Sequence, residues 1–310
     1  MRYQRICRYV SETPWAITPE KMSELLSVLT FRAAGGAFTP EEIQAAIGAP
    51  RSAASASQSD AVAVIPLRGV IAHRMDALDE ASGGTSVERF GQMFRAALAD
   101  AAVGSILLDV DSPGGTVPGV QELATEMRRA RATKTKRVVA VANSLMASAA
   151  YWLASSAADE IVAIPSAAVG SIGVFSVHED LSERAKQLGI KVTVVSAGKY
   201  KTEGHPFEPL SDEAKAHVQA RVDDAYEAFV KAVAQGRGVS PSAVRGGYGQ
   251  GRVLGATDAL AAGLIDRIDT FDHTIARLGR GRVGMQAEGV EAPLLAERHS
   301  DEDRRRRLEF

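Results

Sequence analysis

The clearest chemistry lies in VVAVANSLMASAAYWLASSAA, residues 138–158, where an apolar β-type run changes to an alanine-rich run of helical composition. Ser148 stands at that change. A serine at the start of a helix that follows a strand presents its hydroxyl at the carboxyl edge of a sheet, where α/β proteins place their sites. Ser148 is therefore the candidate nucleophile for acyl transfer, although a small packing residue would also suit the position.

A developing oxyanion needs hydrogen-bond donors, and two backbone amides are candidates. The amide of Ala149 lies in the first turn of the predicted helix, where N–H groups lack an intrahelical acceptor. Upstream, residues 111–115 read DSPGG, in which the proline fixes a turn and Gly114 and Gly115 have no side chain to block a close backbone. We expect the Gly114 amide to be the second donor, with Gly115 in support; an ordinary strand-to-helix turn is the alternative.

A base must take the serine proton, and SAGKYKTEGHPFEP offers Lys199 and Lys201. A lysine has a pKa of about 10.4 and is protonated at neutral pH, but burial beside apolar groups lowers that pKa by several units. Lys201 follows the apolar run KVTVVSA in a glycine-bounded stretch and is the candidate base; a surface lysine is the alternative. The hydroxyl of Ser144 or Ser171 would hold the Lys201 amine by a hydrogen bond. The three segments together predict a serine peptidase with a lysine base.

Strand-type and helix-type runs alternate from residue 61 onward, which predicts an α/β fold with a parallel sheet and helices on its faces. The predicted strands are 61–71, 104–110, 137–143, 160–164 and 191–197, followed by a strand, helix and strand in 251–269. The other predicted helices are 87–101, 120–132, the run after Ser148, the region near 181–188, and 212–235. The last carries Val218, Val222, Tyr226, Phe229 and Val233 at helical spacing, which suits a subunit interface as well as a core.

The chain is predicted to have four parts. They are a helical N-terminal extension (1–48), a flexible linker (49–60), the main domain (61–280) and a polar, disordered tail (281–310). Within the extension, helices are predicted at 20–31 and after the capping residue Thr39.

Composition excludes several classes of protein. A net charge of −2 over 310 residues argues against a dedicated nucleic-acid binder. The single cysteine, Cys7, excludes an intramolecular disulfide, and the absence of a secretory signal favours the cytoplasm. Residues 138–158 are long enough to span a bilayer, but Asn143 and four serines in the run favour a buried core. We expect no membrane span, no metal and no cofactor.

Six motifs in order carry a resemblance that extends over roughly residues 61–269. They are AVIPLRGVI, LDVDSPGG, VANSLMASAAYWLAS, VGSIGV, SAGKYKTEGHPFEPLS and GRVLGATDALAAGLID. This set resembles the S49 family of serine peptidases. The resemblance implies a crotonase/Clp-like fold of repeated β-β-α units, a Ser–Lys dyad, and rings in which neighbouring protomers can share catalytic residues. It makes Ser148 the nucleophile, Lys201 the base, and the Gly114 and Ala149 amides the oxyanion hole.

Two features bear on the branch of the family. Cellular members usually have glycines directly after the nucleophile, whereas this chain has Ala149-Ala150-Tyr151. The helical N-terminal extension and the continuation GHPFEPLSDEAK resemble the phage-type branch, which implies processing of scaffold or capsid proteins during head maturation, in host cytoplasm or prohead. The small cleft residues predict an uncharged, small residue before the scissile bond; they are Ala147, Ala149, Ala150, Ser171 and Ile172.

Four other interpretations stay open. A soluble cellular S49 peptidase would use the same dyad on other substrates. A Clp-like triad would use His178, and Asp180 with it, in SVHEDL. A crotonase-like enzyme would use paired backbone amides alone to hold the oxyanion of an acyl-CoA thioester. The fourth alternative is a ring-forming assembly protein without catalytic activity.

Overall fold

A computed structural model describes Val10 and residues 13–33, 58–59, 62–75 and 83–287. The strands are β1 Trp15–Ile17, β2 Gln58–Ser59, β3 Val62–Ala72, β4 Thr85–Ser86, β5 Ser105–Thr116, β6 Arg137–Ala147, β7 Glu160–Ala163, β8 Ala168–Gly170, β9 Val253–Gly255 and β10 Arg267–Ile268. The helices are α1 Pro19–Ala33, α2 Val87–Ala99, α3 Val120–Ala132, α4 Ala149–Ala157, α5 Ser182–Gln187, α6 Asp212–Arg237, α7 Pro241–Gly247, α8 Ala256–Ala261 and α9 Phe271–Ala287.

The central sheet has the strand order β10-β7-β6-β5-β3-β2. The pairs from β10 to β3 are all parallel, whereas β2 is antiparallel to β3. Two short strands extend the carboxyl edge: β8 pairs in parallel with the end of β6, and β1 pairs antiparallel with the end of β5. This is the mainly parallel α/β fold that the alternation of runs predicted.

The sheet is buried on both faces. Along β6, Val138, Ala140 and Ala142 belong to one apolar cluster, which the helices α2, α3, α4 and α6 complete. The alternate residues Val139 and Val141 belong to a second cluster, with Leu278 of α9. A strand covered by helices on both sides needs apolar residues at every position, which explains the unbroken apolar run in the sequence.

Residues 138–158 form β6 and the core helix α4, as predicted. The indole of Trp152 stacks on the ring of Phe229 in α6, with centroids 4.6 Å apart and planes 5° from parallel. In the part of the chain that the structure describes, no helix combines the length and apolar character needed to cross a bilayer.

The C-terminal helix α9 is tied to the sheet through Glu160 of β7. This carboxylate accepts hydrogen bonds from Arg137 (2.6 Å), Arg267 (3.1 Å) and Arg277 of α9 (2.9 Å). Burial acts to raise the pKa of Glu160, but the hydrogen bonds from Arg277 and Arg267 outweigh it and hold the pKa below its ordinary value. The carboxylate therefore stays ionised at neutral pH and links β7 to β6, β10 and α9.

The N-terminal region differs from the prediction. α1 confirms the helix expected at 20–31, but a strand, β1, precedes it where the prediction had only helix. The helix expected after Thr39 lies outside the described residues. Gln58 and Ser59, within the predicted linker, form a short strand on β3. At the other end α9 continues to Ala287, into the predicted tail, and residues 288–310 lie outside the described part.

The prediction of a strand at 191–197 is wrong for the single chain. These residues lie in no helix or strand. Apolar side chains there and just before are exposed, with Val195 at 93% and Leu188 at 65% of their accessible surface. β-Branched residues favour an extended conformation, but a strand needs a partner, and the described part of the chain supplies none. We call residues 188–201 the exposed arm.

Candidate active site

Ser148 connects β6 to α4 in a strained conformation. Its φ of 56° and ψ of −119° are unusual for a residue with a side chain. Its N–H donates to the Gly170 carbonyl of β8 (2.8 Å), and its carbonyl accepts from Trp152 N–H (2.9 Å). Its hydroxyl is buried and has no hydrogen-bond partner among the described residues. A buried, unpartnered hydroxyl is costly, and Ser148, the predicted nucleophile, carries one at the junction of β6 and α4.

Three groups converge above Gly114, which has a φ of 97°. A Cβ placed on Gly114 would stand 2.2 Å from the Ala16 carbonyl oxygen, 2.9 Å from Ser148 Cβ and 3.0 Å from the Ala149 nitrogen. The predicted nucleophile and two of the residues predicted to line the oxyanion hole therefore meet at one point. The sequence did not indicate the third group, the Ala16 carbonyl.

The Gly114 amide is engaged differently from the prediction. Its N–H donates to Ser112 Oγ (3.1 Å), and this hydroxyl in turn donates to the Gly69 carbonyl (2.6 Å). The neighbouring Gly115, predicted only as a supporting residue, instead pairs with Ala16 of β1. Ser112 was missed because a side-chain hydrogen bond to the next turn leaves no periodic signal in the sequence.

Neither lysine is hydrogen bonded to Ser148 within the single chain. Lys201 is exposed at the end of the arm, and its backbone N–H donates to the Gly198 carbonyl (3.2 Å). The Lys199 amine bonds Tyr200 Oη (2.6 Å) and Glu213 (3.1 Å). The hydrogen bonds to Tyr200 and then Glu213 raise the pKa of Lys199 above its ordinary value. Lys199 is thus held protonated and is unsuited to be a base.

His178 and Asp180, the residues of the alternative triad, are not hydrogen bonded to each other or to Ser148 in the described structure either. His178 Nε2 is buried without a hydrogen-bond partner in the described part of the chain. The Asp180 carboxylate accepts from the Ser182 N–H (2.8 Å), and hydrogen bonding to Ser182 lowers the pKa of Asp180.

The other predicted site residues surround the junction. Ser144 is exposed with a φ of 143°, and Ser171 is buried with a φ of 54°. The residues predicted to line the cleft are all buried: Ala147, Ala149, Ala150, Ser171 and Ile172. β1, a strand that the sequence analysis did not predict, pairs with the end of β5 and brings the Ala16 carbonyl to this junction. Its only sequence signal was the short apolar run WAI between Pro14 and Pro19.

Gly114→Ala should destabilise the protein and abolish any activity of this site. A residue with a side chain at positive φ costs about 1–3 kcal/mol, and the new methyl would also clash with the Ala16 carbonyl. Gly246→Ala is the matched control, because a Cβ at Gly246 meets nothing within 4 Å. Urea unfolding of both variants checks this; an unchanged midpoint for Gly114→Ala would contradict the packing described above.

The chain is similar in sequence to known peptidases. Residues 130–283 match the sequence model of Peptidase family S49. The chain is 30% identical over 282 residues to Capsid assembly protease C of Escherichia phage lambda, covering 86% of this chain and 63% of that protein. It is 33% identical over 215 residues to Head-tail preconnector protein GP5 of Enterobacteria phage P21, covering 69% and 42%.

A cellular protein is similar as well. Protease 4 of Salmonella typhi is 32% identical over 216 residues, which cover 70% of this chain and 34% of that protein. The chain spans less than two thirds of the length of each of these three relatives. Taken with the family match, they establish that the chain carries a peptidase family S49 domain, as its six ordered motifs predicted.

Proposed function

We propose that the chain is a serine endopeptidase in which Ser148 is the nucleophile and Lys201 the base. The observation that carries this proposal is the unpartnered Ser148 hydroxyl, buried at a strained junction beside the first-turn amide of α4. A hydroxyl held without a partner is free to attack, and the Ala149 amide beside it has no acceptor within its helix.

The reaction follows from these positions. Ser148 Oγ attacks the carbonyl carbon of a bound peptide while Lys201 takes its proton. The oxyanion accepts hydrogen bonds from the Ala149 amide and from the Gly115 amide, which we favour over Gly114 because the Gly114 N–H is committed to Ser112. Lys201 passes its proton to the departing amine, and water then releases the acyl group from Ser148.

Lys201 reaches Ser148 from a second copy of the chain. The exposed arm that ends in Lys201 presents apolar side chains without a sheet partner, and such surfaces mark protein interfaces. The first half of α6 adds Val218 and Val222, which stay half-buried, whereas Phe229 and Val233 are in the core. A homo-oligomeric ring in which each arm pairs with its neighbour would complete both the strand and the dyad.

The substrate we propose is a protein of a phage head, either scaffold or capsid. Support comes from the phage lambda relative, whose name is that of a capsid assembly protease and whose alignment covers 86% of this chain. The similarity to Protease 4 supports the second candidate, a cellular S49 peptidase acting on other polypeptides. Coexpression with each class of substrate, followed by intact-mass analysis, separates the two.

In the assembled protein, a serine-directed fluorophosphonate should acylate Ser148 and spare the other serines of the segment. Ser144 is exposed and Ser156 is buried without a partner, so neither exposure nor lack of a partner alone distinguishes Ser148. Only Ser148 combines the strained junction with nearby oxyanion donors. Peptide mapping after labelling is the measurement, and a label on another serine would remove the basis of the proposal.

A further inference from the structure

The edge of β5 beside Ser148, where an extended peptide could pair, is occupied by a strand of the same chain. β1 lies between Gly114–Thr116 of β5 and Phe175, antiparallel to both. Trp15 and Phe175 exchange both backbone hydrogen bonds, at 2.9 and 3.0 Å. A strand that is paired on both sides next to a nucleophile is held as a peptidase holds an extended substrate.

The register of this pairing directs the Ala16 carbonyl toward β5. Thr18 N–H donates to the Pro113 carbonyl (3.0 Å), and Ala16 lies opposite Gly115. Hydrogen-bonded pairs recur at every second residue of an antiparallel ladder, so Ala16 and Gly115 form the next such pair. The Gly115 amide therefore donates to the Ala16 carbonyl.

That carbonyl oxygen lies where the oxyanion hole is proposed. It shares the space above Gly114 with the Ala149 nitrogen and with Ser148 Cβ. Ala16 and Ser148 are both 0% exposed, so the strand seals the nucleophile from solvent. Ala16 thus stands in the position of the residue before a scissile bond, and its side chain is the small, uncharged kind that the sequence analysis predicted there.

We propose that β1 is an internal substrate, and that Ser148 cuts the Ala16–Ile17 bond of its own chain when Lys201 arrives by assembly. This inference rests on the proposed peptidase function. It assigns a processing site to the N-terminal region and makes the single chain an inactive precursor.

The step balances with the groups already named. Ser148 Oγ bonds to the Ala16 carbonyl carbon, and its proton passes through Lys201 to the nitrogen of Ile17 as the peptide bond breaks. Water then attacks the Ala16 ester, giving a carboxylate at Ala16 and the free Ser148 hydroxyl. The products are residues 1–16 and a chain that begins at Ile17.

Cleavage would open the site to other peptides. A segment tethered in its own cleft has an effective concentration of about millimolar, so an external peptide at micromolar concentration should be hydrolysed roughly tenfold or more slowly while β1 remains. After the cut, Trp15 and Ala16 are held only by noncovalent contacts and can leave. Peptide hydrolysis should therefore begin after a lag that matches the loss of intact chain.

The test is N-terminal sequencing and intact-mass analysis of the full chain over time, alongside hydrolysis of a fluorogenic peptide with alanine before the scissile bond. We expect a new N-terminus at Ile17 in the wild type. A tagged Ser148→Ala chain should stay uncut, both alone and mixed with wild type, because each cleft holds its own strand. Thermal unfolding confirms that this variant is folded.

The outcomes separate the two proposals. Peptide hydrolysis without a lag, by a chain that remains intact at Ala16, would overturn the internal-substrate inference and leave the peptidase function standing. Cleavage of the tagged Ser148→Ala chain by wild type would also overturn it. No hydrolysis and no acylation of Ser148 in the assembled wild type would overturn the peptidase function, and this inference with it.

Discussion

Ser148→Ala is expected to lower kcat/KM for peptide hydrolysis by on the order of 10⁴-fold or more, because it removes the only atom that forms the acyl-enzyme. The fold should be retained, since the change deletes one oxygen that has no hydrogen-bond partner among the described residues. Steady-state kinetics with a peptide substrate, together with the urea midpoint, measure both effects.

Ser156→Ala is the matched control. Ser156 is also fully buried, in the helix that Ser148 caps, and its hydroxyl is likewise unpartnered in the described structure. It lies near the far end of α4, however, away from the junction with β6. Equal loss of activity in the two variants would mean that the effect comes from core packing, whereas retained activity in Ser148→Ala would favour acyl-CoA or purely structural functions.

Lys201→Arg is expected to lower kcat by about 10²- to 10⁴-fold, the usual contribution of a general base, because a guanidinium stays protonated. Lys199→Arg should be tolerated, since that amine is already held as a cation by Tyr200 and Glu213. pH–rate profiles of the two variants make the comparison. Loss of activity in His178→Ala, with Lys201→Arg active, would favour the triad instead.

The same variants test whether the site is shared between copies. If Lys201 acts on the Ser148 of its neighbour, a mixture of Ser148→Ala and Lys201→Arg chains contains intact pairs. Random mixing in a ring makes about a quarter of the sites complete, so two inactive proteins should regain about a quarter of the wild-type rate. No recovery after verified subunit exchange would place both residues of each site on one chain.

The sequence was sufficient for the elements whose signal is local. The change from β-branched to alanine-rich residues located Ser148 at the junction of β6 and α4. DSPGG was predicted as a turn after the strand, but residues 111–115 lie inside β5, which continues to Thr116. β1 was missed because its three residues are too few to show alternation, and its partner at Gly114–Thr116 is remote in the chain. The arm was predicted as a strand from propensity alone, but strand formation depends on pairing, which a second copy would have to supply.

The stack of Trp152 on Phe229 has a practical consequence. The chain has two tryptophans, and the other, Trp15, lies in β1 next to Ala16. Trp152 is locked against a parallel ring in the core, so its emission changes only when α4 and α6 separate. Trp15 packs instead in a small cluster with Ile17 and Met22, so its fluorescence responds when β1 leaves that cluster. Replacing either tryptophan by phenylalanine would therefore leave a single-fluorophore protein, one reporting on unfolding and the other on departure of β1.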